Sequence, residues 1–398
     1  MKKIEILVGV GSWESLNAAA QAKADAVYLG LKDFNLRAFA KNFELSELKK
    51  IVDFCHKNKM KVYLALNSIV YDNELGKVGK ILTEAKKAKI DAIICSDLAV
   101  MKLAKARGLP IHVSTQMSIS NSLAAQQLEK MFGTERIVLA RELSLEKIKE
   151  FKKKTKVGIE VFCHGSMCIS ISGRCFLSLN CFDKSANKGE CTQVCRRTFY
   201  MKECEESLDV VGNTIFSSKD LCTIEFLDKI VGLGPVALKI EGRTKPAEYV
   251  YVVTKVYKSA LKDIAEKKFT EKKKKAYLKE LETVYNRGFT SGFYFSTPGK
   301  ESIHTQDASL ETESKIYLGN VSNYYAKIGV GELKLQNEAK VGDELQAEGK
   351  TTFFRQKVSS IQKDGKNIKV GKKGEKVGFK LKDRVRIKDK LFLIKKSN

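Results

Sequence analysis

Short apolar runs recur through the first 240 residues of this 398-residue chain, with amphipathic stretches of helical length between most of them. The runs are Ile4–Val8, Ala26–Leu29, Lys61–Leu66, Ala92–Cys95, Ile111–Ser114, Arg136–Ala140, Gly158–Phe162 and Val236–Ile240. Each has the length and near-continuous apolar character of a strand buried on both faces. Glu44–Lys57, Asn73–Lys87 and Leu145–Lys154 show the helical period between them. Strands joined by helices lie parallel, because a parallel neighbour needs a crossover connection. Eight such strands predict an α/β fold of the (β/α)8 TIM-like barrel type, with a Cys-rich insertion between the last two strands.

The C-terminal strand ends of such a barrel build the active site. Here they carry Gly9 and Gly11, then Gly30, Asn67, Asp97, Thr115-Gln116, Arg141-Glu142 and His164. The eighth strand ends in Lys239 and Glu241-Gly242-Arg243. Residues 247–284 read as long helices, and the basic run Lys272–Lys275 as a solvated face. From about Lys315 the texture changes to short alternating strands punctuated by Gly, which predicts a small C-terminal β-barrel domain. The expected division is a catalytic barrel over 1–300, carrying its insertion at about 163–222, and a basic β-domain over 310–398.

Formal charge narrows the partners. The chain carries +25, and Thr351–Asn398 holds sixteen Lys and Arg against four Asp and Glu. Such an excess makes polyanions the first candidates, and a basic β-domain beside a catalytic barrel is placed to grip RNA by its phosphates. No apolar stretch reaches the roughly 18 residues of a membrane helix. The apolar run at the N-terminus is broken by Gly9–Ser12, too soon for a secretory signal. These features predict a cytoplasmic protein without a membrane partner, in a compartment where disulfides are rare and clustered thiols bind metal or do redox chemistry.

Eight of the ten cysteines fall between Cys163 and Cys222. No close Cys-x-x-Cys pair of the zinc-ribbon kind occurs among them. Four residues intervene between Cys163 and Cys168, six before Cys175, fifteen before Cys191 and three before Cys195. Thiolates embedded in Gly, Ser and Arg suit an iron–sulfur cluster held by four of them, and zinc is the alternative. Cys55 and Cys95 lie in apolar patterns and read as small core residues. Cys163, Cys181 and Cys204 are surplus to a four-ligand site.

One run of sequence is specific. It reads Glu160-Val-Phe-Cys-His-Gly-Ser-Met-Cys168, then Ser172-Gly-Arg-Cys175, Asn187-Lys-Gly-Glu-Cys191 and Gln193-Val-Cys-Arg196. With Ser218-Lys-Asp-Leu-Cys222 and Lys239-Ile-Glu-Gly-Arg-Thr-Lys245, it resembles the signature of the collagenase-like peptidase U32 family. Asp25-Ala-Val-Tyr-Leu-Gly30, Ser114-Thr-Gln116, Leu139-Ala-Arg-Glu142 and Arg287-Gly-Phe-Thr290 extend the resemblance over essentially the whole chain. Despite the family name, the resemblance implies an oxygen-independent hydroxylase with a 4Fe-4S cluster. Its RNA-modifying branch uses prephenate as hydroxyl source, and acts on the wobble uridine of tRNA or on a cytidine of 23S rRNA. Cys168, Cys175, Cys191 and Cys195 match the ligand set, with Cys222 as a rival for the fourth place. Val8-Gly-Val-Gly11 departs from the Pro-Ala-Gly of relatives.

A small dianionic donor calls for planar cations, for which Arg141, Arg174, Arg196 and Arg243 are the candidates, with Lys239 beside them. His164 is a candidate proton shuttle, and Glu241 a candidate for contact with a base edge. A peptidase would instead need a nucleophile with a base. Cys163 and His164 are adjacent on a strand, so their side chains point to opposite faces. No His-Glu-x-x-His motif occurs. The sequence expectation is thus a tRNA hydroxylase, with rRNA hydroxylation and collagenase-like proteolysis as alternatives.

Overall fold

Each predicted apolar run is a strand in the computed structural model, which describes residues 3–38, 40–171, 173–197, 216–305 and 309–396. The strands are β1 (Glu5–Gly9), β2 (Ala26–Leu29), β3 (Lys61–Leu66), β4 (Ala92–Cys95), β5 (Ile111–Val113), β6 (Arg136–Val138) and β7 (Gly158–Ser166). After a further short strand, β8 (Asp220–Cys222), comes β9 (Ala237–Ile240). β1 to β7 pair in sequence order, all parallel, and β9 lies between β1 and β7. Glu5 and Glu160 both register with Ala237, so β9 closes an eight-stranded barrel.

Between the strands run α1 (Trp13–Gln21), α2 (Leu48–Lys57), α3 (Leu75–Lys87), α4 (Leu98–Lys105), α5 (Ser122–Phe132) and α6 (Leu145–Lys154). Side-chain caps start several of them: Asp97 for α4, Asn121 for α5 and Ser144 for α6 each accept first-turn N–H bonds. In α2 the buried residues Leu48, Ile51, Val52 and Cys55 fall on one face, at helical spacing. Cys55 and Cys95 are buried in the core, as expected from their apolar settings.

Two short strands were not legible as strands. β8 pairs antiparallel with the extended end of β7, His164 opposite Cys222, and β10 (Phe289–Thr290) adds parallel to β8. Three residues that include an Asp give no alternation to read. Between β7 and β8 lies the Cys-rich insertion with a short helix, α7 (Leu177–Phe182). Ser172 of the family motif and Cys204 lie outside the described residues. After α8 (Leu227–Gly232) and β9, the long helices α9 (Ala247–Ala265) and α10 (Glu271–Glu282) complete this part.

The barrel interior holds a charge network in place of a wholly apolar filling. Arg136 reaches Glu5 at 2.8 Å and Glu160 at 3.0 Å, and Lys239 Nζ reaches the other oxygen of Glu160 at 2.7 Å. Tyr63 donates its hydroxyl to Glu5 at 2.9 Å, and the His112 ring stacks edge-on against Tyr63. Burial opposes the Glu160 charge, but Lys239 and Arg136 overcome it and hold the carboxyl down to about 2. Burial pushes His112 down to about 3, aided by the Arg136 charge.

The C-terminal part is one antiparallel sheet built on β11 (Glu313–Tyr325), followed by β12 (Val330–Lys334), β13 (Ala339–Lys340), β14 (Glu344–Gly349), β15 (Thr352–Lys357), β16 (Ile361–Lys363), β17 (Lys366–Ile368), β18 (Val370–Gly371), β19 (Lys376–Lys380) and β20 (Lys390–Lys396). Its order is β15-β14-β20-β11-β12-β19-β16-β17, with β13 and β18 as a separate pair. β11 pairs with β20 over its first half and with β12 over its second, with register shifts at Tyr317/Gly319 and Val321/Asn323. Those irregularities let the sheet curl round its own core of Leu318, Leu333, Leu345, Phe379 and Leu393. The edge strands β15 and β17 are not paired with each other. The sheet docks on α1 and α9: Asn17 Nδ2 donates to Lys350 O at 2.6 Å, Lys315 meets Glu248 at 2.6 Å, and Phe353 packs on Tyr251.

The network makes two predictions. Glu160→Ala strands Lys239 in the barrel without its partner and costs about 3–5 kcal/mol, the usual penalty for breaking a buried pair. Denaturant unfolding of the variant measures it. In acid, unfolded His112 takes a proton below pH 6.5 that the folded chain refuses down to about 3. Glu160 adds a loss as pH falls from the ordinary glutamate value of 4.5 toward about 2. Unfolding midpoints therefore fall steadily with pH below about 6.5, and a flat profile between about pH 6.5 and 4 contradicts the burial of these groups.

Candidate active site at the barrel mouth

The site is built around Arg243, which follows β9 and turns back over the ends of β1 and β2. Its Nη2 donates to Asn35 Oδ1 at 2.5 Å and to Asn42 Oδ1 at 2.6 Å. Glycines make the room. A Cβ on Gly30 would stand 2.2 Å from Arg243 Nη2, and one on Gly11 2.2 Å from the Arg243 carbonyl oxygen. Burial lowers the Arg243 guanidinium to about 10.

Beside it lies a cavity lined by Arg37, Arg141, Lys239, Glu241 and Arg243, with Tyr28, Asn67, Gln116 and Phe162 completing its walls. Arg141 leaves β6, stacks on the Phe162 ring at 3.8 Å and donates to Ser166 O at 2.8 Å. Glu241 lies 3.7 Å from Arg37 Nε, and its backbone N–H is tied to His164 O at 2.9 Å. That close approach of β7 and β9 requires Gly165, whose φ is +113° and whose Cβ would meet Glu241 at 2.8 Å. Burial and the neighbouring Arg37 depress Arg141, while the Cys168 thiolate and Glu241 oppose that shift. The Nε of Arg141 and the Nε of Arg243 are buried with no hydrogen-bond partner among the described residues. With Lys239 tied to Glu160, the three arginines facing Glu241 leave the cavity with an excess of positive charge.

The insertion folds over this mouth. Ala38 N donates to Gly189 O at 2.9 Å, and Gly189 sits so close to Asn35 O that a Cβ would be 2.0 Å away. Asn187 Oδ1 accepts from Cys175 N at 3.2 Å, and Cys175 Sγ accepts from Leu177 N at 3.4 Å. Cys168, Cys175, Cys191 and Cys195 are all half-buried. Burial raises the Cys195 thiol, Arg196 opposes that, and the neighbouring Cys168, Cys191 and Cys175 push it further up. The four sulfurs thus share one electrostatic neighbourhood. Burial opposes the Arg37 charge, but Glu241, Cys168 and Cys191 more than offset it.

Among the described residues no three or more His, Cys, Asp or Glu form a ready group for a single ion. Thiolates round one zinc stand about 3.8 Å apart, given Zn–S of about 2.3 Å in tetrahedral geometry. Ligands at the corners of an iron–sulfur cube stand wider. Four thiols, a backbone N–H on one sulfur, and Arg37, Arg141 and Arg196 close by form a donor set that fits such a cluster.

Other expected residues fall elsewhere. β7 runs on to Ser166, so His164 lies within the strand and not after it, and a register shift between Phe162 and His164 turns it outward. It is enclosed by Tyr249, Tyr257 and Phe289, is held by burial down to about 3, and does not line the cavity. Cys222 packs against Tyr257, its sulfur 3.9 Å from the hydroxyl, and burial pushes its thiol up to about 12. Arg174 is exposed, and Arg196 donates to Gln193 at 3.1 Å; neither lines the cavity. Lys239 does line it, while its ammonium is tied to Glu160. Sequence reading missed Arg37 and the asparagines at 35 and 42, which lie in a long loop with no periodicity. The signal was there in Gly30 followed by polar residues at a strand end.

A model of peptidase family U32 matches residues 11–304. An uncharacterized protease of Methanocaldococcus jannaschii is 40% identical, covering 100% of both chains. A collagenase of Porphyromonas gingivalis is 37% identical over 98% of this chain and 97% of its own. The tRNA hydroxylation protein P1 of Bacillus subtilis is 33% identical over 87% of this chain and 83% of its own.

The two classes of thiol predict a reactivity map. In metal-depleted protein at about pH 8, a maleimide labels Cys181 and the four half-buried thiols at the mouth first. Cys55, Cys95, Cys163 and Cys222 react only on unfolding, since burial raises each of them. Peptide mapping by mass spectrometry reads both sets.

Proposed function

The chain belongs to the peptidase U32 family, and from that premise we propose that it is an RNA-modifying hydroxylase acting on tRNA. The observation that carries this reading is the gathering of Cys168, Cys175, Cys191 and Cys195 beside a cationic cavity at the barrel mouth. The likeness to a protein named for tRNA hydroxylation supports it. The reaction we assign is oxygen-independent formation of 5-hydroxyuridine at the wobble position, with prephenate as the hydroxyl source.

The four cysteines would hold a 4Fe-4S cluster, which supplies one-electron chemistry when bound. Arg141 and Arg243 are positioned, with Arg37, to take the carboxylates of the dianionic donor, and each of the first two has an Nε free to donate. Glu241 faces the same cavity as the acceptor for a base edge. Tyr28 and Phe162 add aromatic faces to its walls. Lys239 lines the same cavity while its ammonium is held by Glu160 at 2.7 Å, so its charge is compensated from below.

A thiol peptidase is the second reading, favoured by the names of two relatives. It needs a thiolate beside an imidazole. Cys163 Sγ faces Lys239 O at 3.5 Å, and burial together with Cys222 raises its thiol. His164 is turned toward Tyr257, its Nδ1 3.4 Å from that hydroxyl. Burial thus works against the ionised form of both partners.

Anaerobically purified protein is expected to hold about four irons and four sulfides, lost in Cys168→Ala/Cys175→Ala. Nucleosides of tRNA from a deletion strain should lack 5-hydroxyuridine, restored by the intact chain and not by that variant. Gelatin cleavage by metal-free protein, with tRNA nucleosides unchanged by deletion, overturns the proposal.

A further inference from the structure

Outside the cavity a groove of about 760 Å³ runs between the barrel mouth and the C-terminal sheet. Its barrel wall carries Lys41, Arg243 and Lys245, and its sheet wall Lys350, Arg386, Lys388 and Lys390. Seven basic residues and three acids, Glu14, Glu348 and Asp389, line it; the Arg243 guanidinium is turned to Asn35 and Asn42, and Lys245 Nζ sits over the Tyr285 ring at 3.6 Å. Two of those acids are engaged: Glu348 takes Lys315 at 2.8 Å, and Asp389 Oδ2 accepts from Arg386 N at 2.8 Å. Lys41, Lys388 and Lys390 carry no ion pair among the described residues. At the turn before β20, Ile387 is 63% exposed between Arg386 and Lys388.

Arg243 lines both the groove and the cavity, so the two are neighbours at the barrel mouth. The walls come from two separate sheets, and their spacing is set where β15 and its turn rest on α1. Fixed positive charge of this density has no use for a small neutral substrate. A chain of phosphates matches it, because each unpaired ammonium offsets one phosphate and releases its counterions.

We propose that this groove is the track for the backbone of the RNA strand whose target base enters the cavity; this rests on the RNA-hydroxylase reading. Lys41, Lys388 and Lys390 hold phosphates from opposite sides, and Ile387 offers an apolar face to a sugar or base. Such contacts position the strand without reading its sequence, so base choice is left to the cavity.

The test uses full-length protein and a fluorescently labelled, in vitro transcribed tRNA, with binding followed by anisotropy across a salt series. Lys388→Glu/Lys390→Glu should weaken binding at least tenfold and flatten the log–log salt dependence by about 1.4, at about 0.7 per lost single-strand contact. Lys41→Glu, on the opposite wall, guards against a local unfolding of the turn and should act in the same direction. Lys272→Glu/Lys275→Glu on α10 changes the net charge as much as the double variant and should change affinity far less. If the intact chain binds tRNA and the groove variants match the α10 variant, the groove is overturned while the RNA reading stands. If the intact chain fails to bind tRNA but binds a polyglutamate peptide, both fall.

Discussion

A guanidinium buried at the closing seam of the barrel organises this molecule. Arg243 follows the strand that joins the first and seventh, and its hydrogen bonds to Asn35 and Asn42 tie that seam to the loop after β2. The same loop supplies Arg37 to the cavity and receives the Cys-rich insertion at Gly189. Removing water from an arginine is costly unless its donors are met. Two amide oxygens meet part of that need, and the buried Nε has no acceptor among the described residues. The seam is thus fixed by an interaction that leaves a buried donor in reserve.

Charge inside the barrel is arranged in two layers. On the floor Glu5, Arg136, Glu160 and Lys239 compensate one another at 2.7–3.0 Å. At the mouth the compensation stops, and Arg37, Arg141 and Arg243 face only Glu241 and the nearby thiols. Lys239 joins the layers, since its ammonium rests on Glu160 while its side chain lines the cavity. Loss of the floor would therefore be felt at the mouth. The thiolates help sustain Arg37 in return, so the cysteine cluster and the anion pocket are electrostatically coupled.

The barrel was legible because eight parallel strands buried on both faces leave eight apolar runs with helical stretches between most of them. The charged residues within those runs were a missed signal. Glu5, His112, Arg136 and Glu160 interrupt apolar stretches at inward-facing positions, where a barrel interior tolerates charge only in pairs. His164 misled because the strand continues two residues past it, and a one-residue register shift reverses the face a side chain presents. Arg141, Lys239, Glu241 and Arg243 were legible as strand-end residues. Arg37 was not, because a loop carries no period from which its direction can be read.

The cations of the mouth divide by type as well as by place. In the cavity they are mostly arginines, held by stacking on Phe162 or by asparagine oxygens, with few ways to move. In the groove five of seven are lysines, and on the sheet side Lys388 and Lys390 have no ion pair among the described residues. A planar fork fixed in place selects a carboxylate by geometry, whereas a mobile point charge accepts any phosphate within reach. One face of the molecule can therefore be strict toward a small anion and permissive toward a long one. The two sets also differ in place: Arg141, Lys239 and Arg243 of the cavity stand at or just after strand ends, and Lys388 of the groove stands in the turn that carries Ile387.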